Sequence, residues 1–386
     1  MPNSGNTPVS NGRAGQAEID AQAKLLEAVP AVARILDAVP AMLMILNRQR
    51  QVVLANNSLA RFAGAEDPEE LRGLRSGEIF GCIHASHAPD GCGSTEACTA
   101  CGALKAMQSA LIGRASTQHS RLVCITDRHE AQLELEVSAS PLEIAGQAFT
   151  LVYLVDASDR TRRHWFERAV IPQALGLSTE LEILTATIAN PASDDALRSG
   201  CSPMLLAASR RLTSLLREIP EMAEAEAGGY ACATVRVAAA ELLTAAAGQT
   251  ANDAAALGRR ILFEPWDEDL AVDTDPMLAR RILEKILLNA LEATPVGGTV
   301  TLGCRNVEAG VELWIHNSGA IPRHTQLQIF QRSFSTKGPG RGYGTYFVKL
   351  MTERCLGGAV SFRSEAGEGT TFVVRLPRSG RGQGAA

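Results

Sequence analysis

Four short stretches in the C-terminal part constrain the fold more than any other feature of this 386-residue chain. Residues 281–294 read RILEKILLNALEAT, with apolar spacing of helical period and Asn289 on the polar side. Residues 316–321 read HNSGAI and follow the alternating VELWI, a strand signature. Residues 326–350 read QLQIFQRSFSTKGPGRGYGTYFVKL, with glycines at 338, 340, 342 and 344 leading into a helix. Residues 367–377 read GEGTTFVVRLP, a turn into a last strand. Glycine lets a ligand approach the backbone, and a helix start offers free N–H groups and a positive dipole end to phosphate. Lys337 and Arg341 can neutralise phosphate charge, and the Asn289 side-chain oxygen can meet Mg²⁺. The chemistry these stretches suit is nucleoside triphosphate binding.

The order NALEA, NSGAI, FSTKG with GRGYGTY, then GEGTTF resembles the ATP-binding domain of sensor histidine kinases, the Bergerat fold. The resemblance implies an α/β sandwich with ATP held between its helices and a mobile lid. It assigns Asn289 to Mg²⁺ and phosphate, and Asn317 and Gly319 to adenine. It gives Lys337, Gly340, Arg341, Gly342, Gly344 and Thr345 to lid and phosphates, and puts Thr371 beside the adenine pocket. Two positions depart from the family pattern. Asn317 stands where an aspartate is usual, and Lys285 stands one turn before Asn289, where a second asparagine or a glutamate is common. Lys285 is there an alternative phosphate contact.

Upstream, residues 158–219 carry no strand signal. Two apolar stripes of helical spacing are broken at Asn190-Pro191, as in a helical hairpin. A hairpin this narrow cannot bury both stripes alone, so a second copy is expected against it. The family resemblance expects a phosphoacceptor histidine in the first of these helices. WFERAVIPQALGLSTELEIL contains none: Pro172-Gln173 stands at the acceptor position, and neither residue is a nucleophile or a base. His164 is read as an exposed member of the basic run 160–164. Pro172 inside a helix is expected to kink it, at a cost of about 3 kcal/mol.

The N-terminal third closes with three strand signals, of which Gln132-Leu-Glu-Leu-Glu-Val alternates as a half-buried antiparallel strand should. DAVPAMLMILNRQRQVVLANNSLARFAG and the closing LVYLVDASD resemble a PAS sensor domain, which implies a ligand-bearing input unit. Within it, residues 81–102 read GCIHASHAPDGCGSTEACTACG. Cys82, Cys92, Cys98 and Cys101 are a complete soft-metal ligand set, suited to an iron–sulfur cluster or Zn²⁺, with a metal-free thiol switch or a purely structural role as alternatives. His84 and His87 read as neighbours, and the remaining five cysteines as small core residues.

The net charge of −5 argues against general nucleic-acid binding, and no apolar run is long and unbroken enough to cross a bilayer. With nine cysteines, an odd number, a disulfide framework is not expected, which fits a cytoplasmic setting. The expected architecture is α+β and multidomain. Residues 1–24 are expected to be disordered, 25–157 to form a PAS-like antiparallel sheet domain, and 158–225 a helical dimerisation hairpin. Residues 230–378 should form a Bergerat α/β sandwich, and 379–386 a flexible tail. The expected function is a two-component-type sensor that reads redox state, oxygen or metal through a cysteine-bound metal centre in the PAS-like domain and couples it to the ATP-binding kinase domain, with ATP and Mg²⁺ as cofactors. It would be a homodimer, or a heterodimer with another kinase, with a response regulator as partner and autokinase activity in doubt. The alternative is a non-catalytic ATP-binding regulator.

Overall fold

The computed structural model describes residues 12–378, apart from 87, 89, 127–128, 251–257, 267–269, 333 and 337–342. The chain divides into two compact units, 1–163 and 164–386, and each is described by itself.

The first unit begins with α1 (Gln16–Glu27), which corrects the expectation of disorder up to residue 24. The reason is an apolar stripe: Ile19, Ala23 and Leu26 fall on one helical face and are buried. After α2 (Pro30–Ala38) come β1 (Met42–Leu46) and β2 (Val52–Ala55), then α3 (Asn57–Ala63). The short helices α4 (Ser76–Ile79) and α5 (Ile83–Ser86) and the longer α6 (Gly102–Leu111) follow. The strands β3 (Ser116–Thr126), β4 (His129–Ile144) and β5 (Gln147–Asp156) close the unit. The sheet order is β2-β1-β5-β4-β3, antiparallel at every pairing.

Both faces of this sheet are covered at β1, which is why β1 reads as an unbroken apolar run. Leu43 and Ile45 pack with Ala23, Leu26 and Leu36 of α1 and α2. Met42, Met44 and Leu46 pack with Leu59 of α3 and Met107 of α6. Asn56 ties the layers together. Its side-chain oxygen accepts from Leu59 N–H at 3.1 Å, capping α3, and its amide donates to the Leu36, Val39 and Ala41 carbonyls.

In the second unit, which begins within α7 (Ser158–Trp165), a π-helical turn over Phe166–Val170 leads into α8 (Ile171–Ala189). Pro172 sits in the first turn of α8, where a missing N–H costs least. The widened turn just before it absorbs the break in the hydrogen-bond ladder that was expected as a kink. Asp194 caps the long α9 (Asp195–Glu226) at 2.7 Å, so the hairpin break falls where Asn190-Pro191 put it.

The C-terminal domain follows with β6 (Val235–Ala238), α10 (Ala239–Thr250), β7 (Arg260–Phe263), β8 (Ala271–Thr274) and α11 (Pro276–Glu292). Next come β9 (Thr299–Val307), β10 (Gly310–Asn317), α12 (Arg323–Gln326) and α13 (Gly344–Leu350), which runs on as a π turn over Met351–Cys355. The last strands are β11 (Ala359–Glu365) and β12 (Gly369–Leu376). Its main sheet has the order β11-β12-β10-β9-β7, with only β7–β9 parallel. α10, α11 and α13 pack on one face through Leu243, Ile282, Leu287 and Phe347 against Val300, Leu313 and Val374, a two-layer α/β sandwich. Among the described residues no helix is long and apolar enough to cross a membrane.

Candidate nucleotide site and cysteine cluster

The end of β10, the C-terminal half of α11 and the start of β12 meet at one place. Asn317, the last residue of β10, is buried and pairs in register with Thr370 of β12. The loop that leaves β10 passes so close to α11 that a Cβ on Gly319 would lie 2.8 Å from the Ala293 carbonyl oxygen and 3.0 Å from Asn317 Nδ2. Only glycine lets that loop seat. The Thr370 hydroxyl donates to the Gly319 carbonyl at 2.7 Å and lies 2.7 Å from the Ser364 hydroxyl, which in turn accepts from Ile321 N–H at 2.7 Å. Asn289 lies one turn before Ala293 on the same helix and is half-buried.

Of the residues expected here, Asn317 and Gly319 are thus brought together beside the C-terminal end of α11, the helix that carries Asn289. Thr371 is placed elsewhere: successive strand residues face opposite sides, and its hydroxyl lies 2.9 Å from His316 Nδ1. Thr370, one position earlier, is the threonine beside Asn317 and Gly319. The doublet GEGTTF left the two indistinguishable until the register was known. Gly344 opens α13, and the Thr345 hydroxyl donates to the Ile329 carbonyl. Lys337, Gly340, Arg341 and Gly342 lie outside the described residues.

Lys285 has a different task from the phosphate contact considered for it. Its ammonium is 2.8 Å from Glu218 of α9 and stands 5.0 Å from the Phe347 ring centroid. Arg281, one turn earlier, pairs with Glu221 at 2.6 Å. These two cations clamp α11 to α9. Asn289 remains as an oxygen donor to Mg²⁺, which commonly keeps most of its waters and takes few protein ligands beside the substrate phosphates. The residues present are compatible with that mode.

The cysteines of the first unit are all free thiols. Cys82 and Cys98 are buried, Cys92 and Cys101 half-buried. The four sulfurs share one neighbourhood without closing on it: among the described residues no three His, Cys, Asp or Glu side chains are gathered closely enough to hold an ion. Burial pushes the Cys92 thiol up to about 11; the Gly77 N–H aimed at its sulfur opposes this, and the thiols of Cys101, Cys98 and Cys82 add to it. Cys82 is raised likewise by burial, against the N–H groups of His84 and Ala85. The Thr95 hydroxyl lies 3.2 Å from Cys98 Sγ, and the Ser120 hydroxyl 3.6 Å from Cys101 Sγ. Cys124, read from sequence as a core residue, is buried and bridges to Cys82 along the backbone. His87 lies outside the described residues.

The family model that matches this chain lies within the second unit. Residues 274–380 match the family model described as histidine kinase-, DNA gyrase B- and HSP90-like ATPase. A sensor protein, DivL, of Caulobacter vibrioides is 33% identical over 175 residues, 45% of this chain and 22% of its own length. A sensor protein, SrrB, of Staphylococcus aureus is 29% identical over 184 residues, 45% of this chain and 31% of its own length. The matched part therefore spans about a fifth to a third of these relatives. Among solved structures, the catalytic domain of histidine kinase ThkA is 23% identical over 38% of this chain and 99% of its own, with a TM-score of 0.35. ThkA in complex with the response regulator protein TrrA is 16% identical over 88% of this chain and 96% of its own, with a TM-score of 0.36. Residues 274–380 of this chain are thus similar to histidine kinase-, DNA gyrase B- and HSP90-like ATPases, and the curated relatives of the chain are named sensor proteins.

Proposed function

We propose that this protein is a two-component-type sensor in which an N-terminal input unit acts on a C-terminal ATP-binding domain, with ATP occupancy rather than phosphorylation of its own chain as the output. The observation that carries the reading is the convergence of Asn317, Gly319 and Thr370 at the C-terminal end of α11, the helix that carries Asn289, within the segment that matches the ATPase family. In this reading adenine lies against Asn317, Gly319 and Thr370. Asn289 meets Mg²⁺ and phosphate, and Lys337, Gly340, Arg341, Gly342, Gly344 and Thr345 belong to the lid and phosphate side. Bound ATP and Mg²⁺ are the cofactors.

The first unit is assigned as a PAS-like input domain; its antiparallel order β2-β1-β5-β4-β3, with helices gathered beside β1 and β3, supports that assignment. The cysteine cluster is its sensing element, for redox state, oxygen or metal. α8 contains no histidine, and Pro172 occupies the expected acceptor position, which supports a regulator that acts through a partner. That partner is an intact kinase in a mixed dimer or a response regulator, engaged from a cytoplasmic location.

Calorimetric titration of the full chain with ATP and Mg²⁺ tests the reading. Binding with one site per chain is expected, weakened at least tenfold by Asn317→Ala. With γ-labelled ATP, no acid-labile phosphate is expected on the chain. A chain that fails to bind ATP removes the proposal, and labelled phosphate lost in His164→Ala removes the claim about its output.

A further inference from the structure

Two cysteines read from sequence as core residues meet in the C-terminal domain. Cys232 lies in the strap, residues 227–234, that leads from α9 to β6, and Cys355 ends the π turn that continues α13. The Cys232 thiol donates to the Cys355 carbonyl at 3.1 Å, across 123 residues of chain. The two side chains also hydrogen-bond each other. Cys355 Sγ lies 3.6 Å from Met351 Sδ, a weak acceptor that competes little with Cys232. Both cysteines are free thiols, half-buried at the margin of the core.

Each partner is anchored by bonds outside the pair. Next to Cys232, the Ala233 N–H donates to Asp275 Oδ2 at 3.1 Å, while Asp275 Oδ1 caps α11 by accepting from Leu278 N–H at 3.0 Å. Next to Cys355, Arg354 donates to the Glu226 carbonyl at the end of α9 at 2.8 Å. The meeting of the two thiols is therefore set by the fold of the domain.

Their environments push them apart in acidity. The hydrogen bond from Cys355 holds Cys232 below the usual thiol range, against burial and the Asp275 carboxylate. The same bond, and then burial, push Cys355 up; Arg354 opposes this and Asp275 adds to it. Tyr230, on the same strap, is pushed up to about 12, chiefly by burial, and stays neutral. One thiol is thus disposed to ionise and its neighbour to keep its proton, the division of labour between an attacking and a resolving cysteine. Burial pushes Cys92 up to about 11 and Cys124 up to about 12, so those thiols of the first unit are poor competitors for an oxidant.

We propose that Cys232 and Cys355 form a redox-responsive site of their own, at which a hydroperoxide such as H₂O₂ converts the two thiols to a disulfide. The Cys232 thiolate attacks one peroxide oxygen. The O–O bond breaks, Cys232 becomes a sulfenic acid, and the hydroxide released takes up the proton Cys232 had lost. The Cys355 thiol then attacks the sulfenic sulfur. The S–S bond forms, the S–O bond breaks, and the hydroxyl leaves with the Cys355 proton as water. The two thiols lose two electrons and two protons, and the peroxide ends as two waters. The new bond fastens the strap that leaves α9 to the last turn of the helix that opens at Gly344. The site lies outside the cysteine cluster of the first unit and goes beyond the function proposed above.

The test uses the full chain, reduced, freed of reductant without oxygen and treated with equimolar H₂O₂. Peptide mapping after alkylation is expected to find Cys232 linked to Cys355, with the link released by dithiothreitol. In Cys355→Ala, dimedone should trap Cys232 as the sulfenic acid. Iodoacetamide should modify Cys232 about 3–10-fold more slowly in Cys355→Ala than in the native chain at neutral pH, because the hydrogen bond that favours the thiolate is gone. Cys355→Ser, whose hydroxyl still donates, should stay near the native rate. If both cysteines remain open to alkylation after peroxide, or either is linked to a different cysteine, the proposal is overturned. A Cys232 rate that Cys355→Ala leaves unchanged overturns it too, as does a Cys355→Ser chain as slow as Cys355→Ala.

Discussion

Ala145 stands in the two-residue turn between β4 and β5 with φ +50°, and Gly146 follows with φ +75°. Both left-handed angles belong to the turn type that matches strand twist, and glycine or asparagine fills the first position without the strain alanine meets there. Nothing crowds the neighbouring Gly146. Ala145→Asn should therefore stabilise the first unit by about 0.5–1 kcal/mol, read as a shift in a urea melt, and an unchanged or lower midpoint refutes the strain argument. At this scale the sequence is a partial guide. The close approach at Gly319 was legible because glycine there serves a contact that few other residues serve. Thr370 was hidden in a threonine doublet, since only the register of β12 says which hydroxyl faces Asn317. The burial of Arg50 was invisible: NRQRQ reads as a solvated polar turn, and Arg75, which donates to the Gln49 and Cys92 carbonyls, ties that turn to a loop some forty residues away.

The long α9 does more than complete a hairpin. Its last residue, Glu226, accepts from the Tyr346 hydroxyl of α13 at 2.7 Å and pairs with the guanidinium of Arg332, which itself lies 3.1 Å from the same hydroxyl. The Glu226 carbonyl accepts from Arg354 at 2.8 Å. With Lys285–Glu218 and Arg281–Glu221, three successive turns of α9 carry carboxylates that hold the ATPase helices. Arg332 is almost wholly buried, so removing its carboxylate leaves a charge with too little compensation. Glu226→Gln should cost about 3 kcal/mol, whereas Tyr346→Phe, which loses one hydrogen bond, should cost about 1 kcal/mol. Equal costs by chemical denaturation would mean that the network is a surface decoration. The helices themselves were readable from apolar spacing, and the hairpin break from Asn190-Pro191. Their ionic clamp was not, because each partner is distant in sequence and looks like an ordinary surface charge.

Taken as a whole molecule, the second unit leaves a face without cover. Leu175 and Ile183 of α8 are 62% and 61% exposed, and Leu206 and Leu216 of α9 are 52% and 51% exposed. Within the hairpin these side chains have no layer to pack on, although the two helices are otherwise well fitted to each other. Burying an aliphatic side chain of this size is worth about 1.5–3 kcal/mol, so two hairpins that stack their stripes gain enough to hold a four-helix bundle. The sequence pattern pointed to this need because an apolar stripe wider than one partner can cover has to be met by something else. Light scattering on the eluting full chain should give the mass of a dimer. Leu175→Glu combined with Ile183→Glu should give a monomer with its ATP affinity intact, since neither residue belongs to the nucleotide site. A dimer that survives both charges would move the interface off this face, and a native monomer would leave the stripe to a partner other than a second copy.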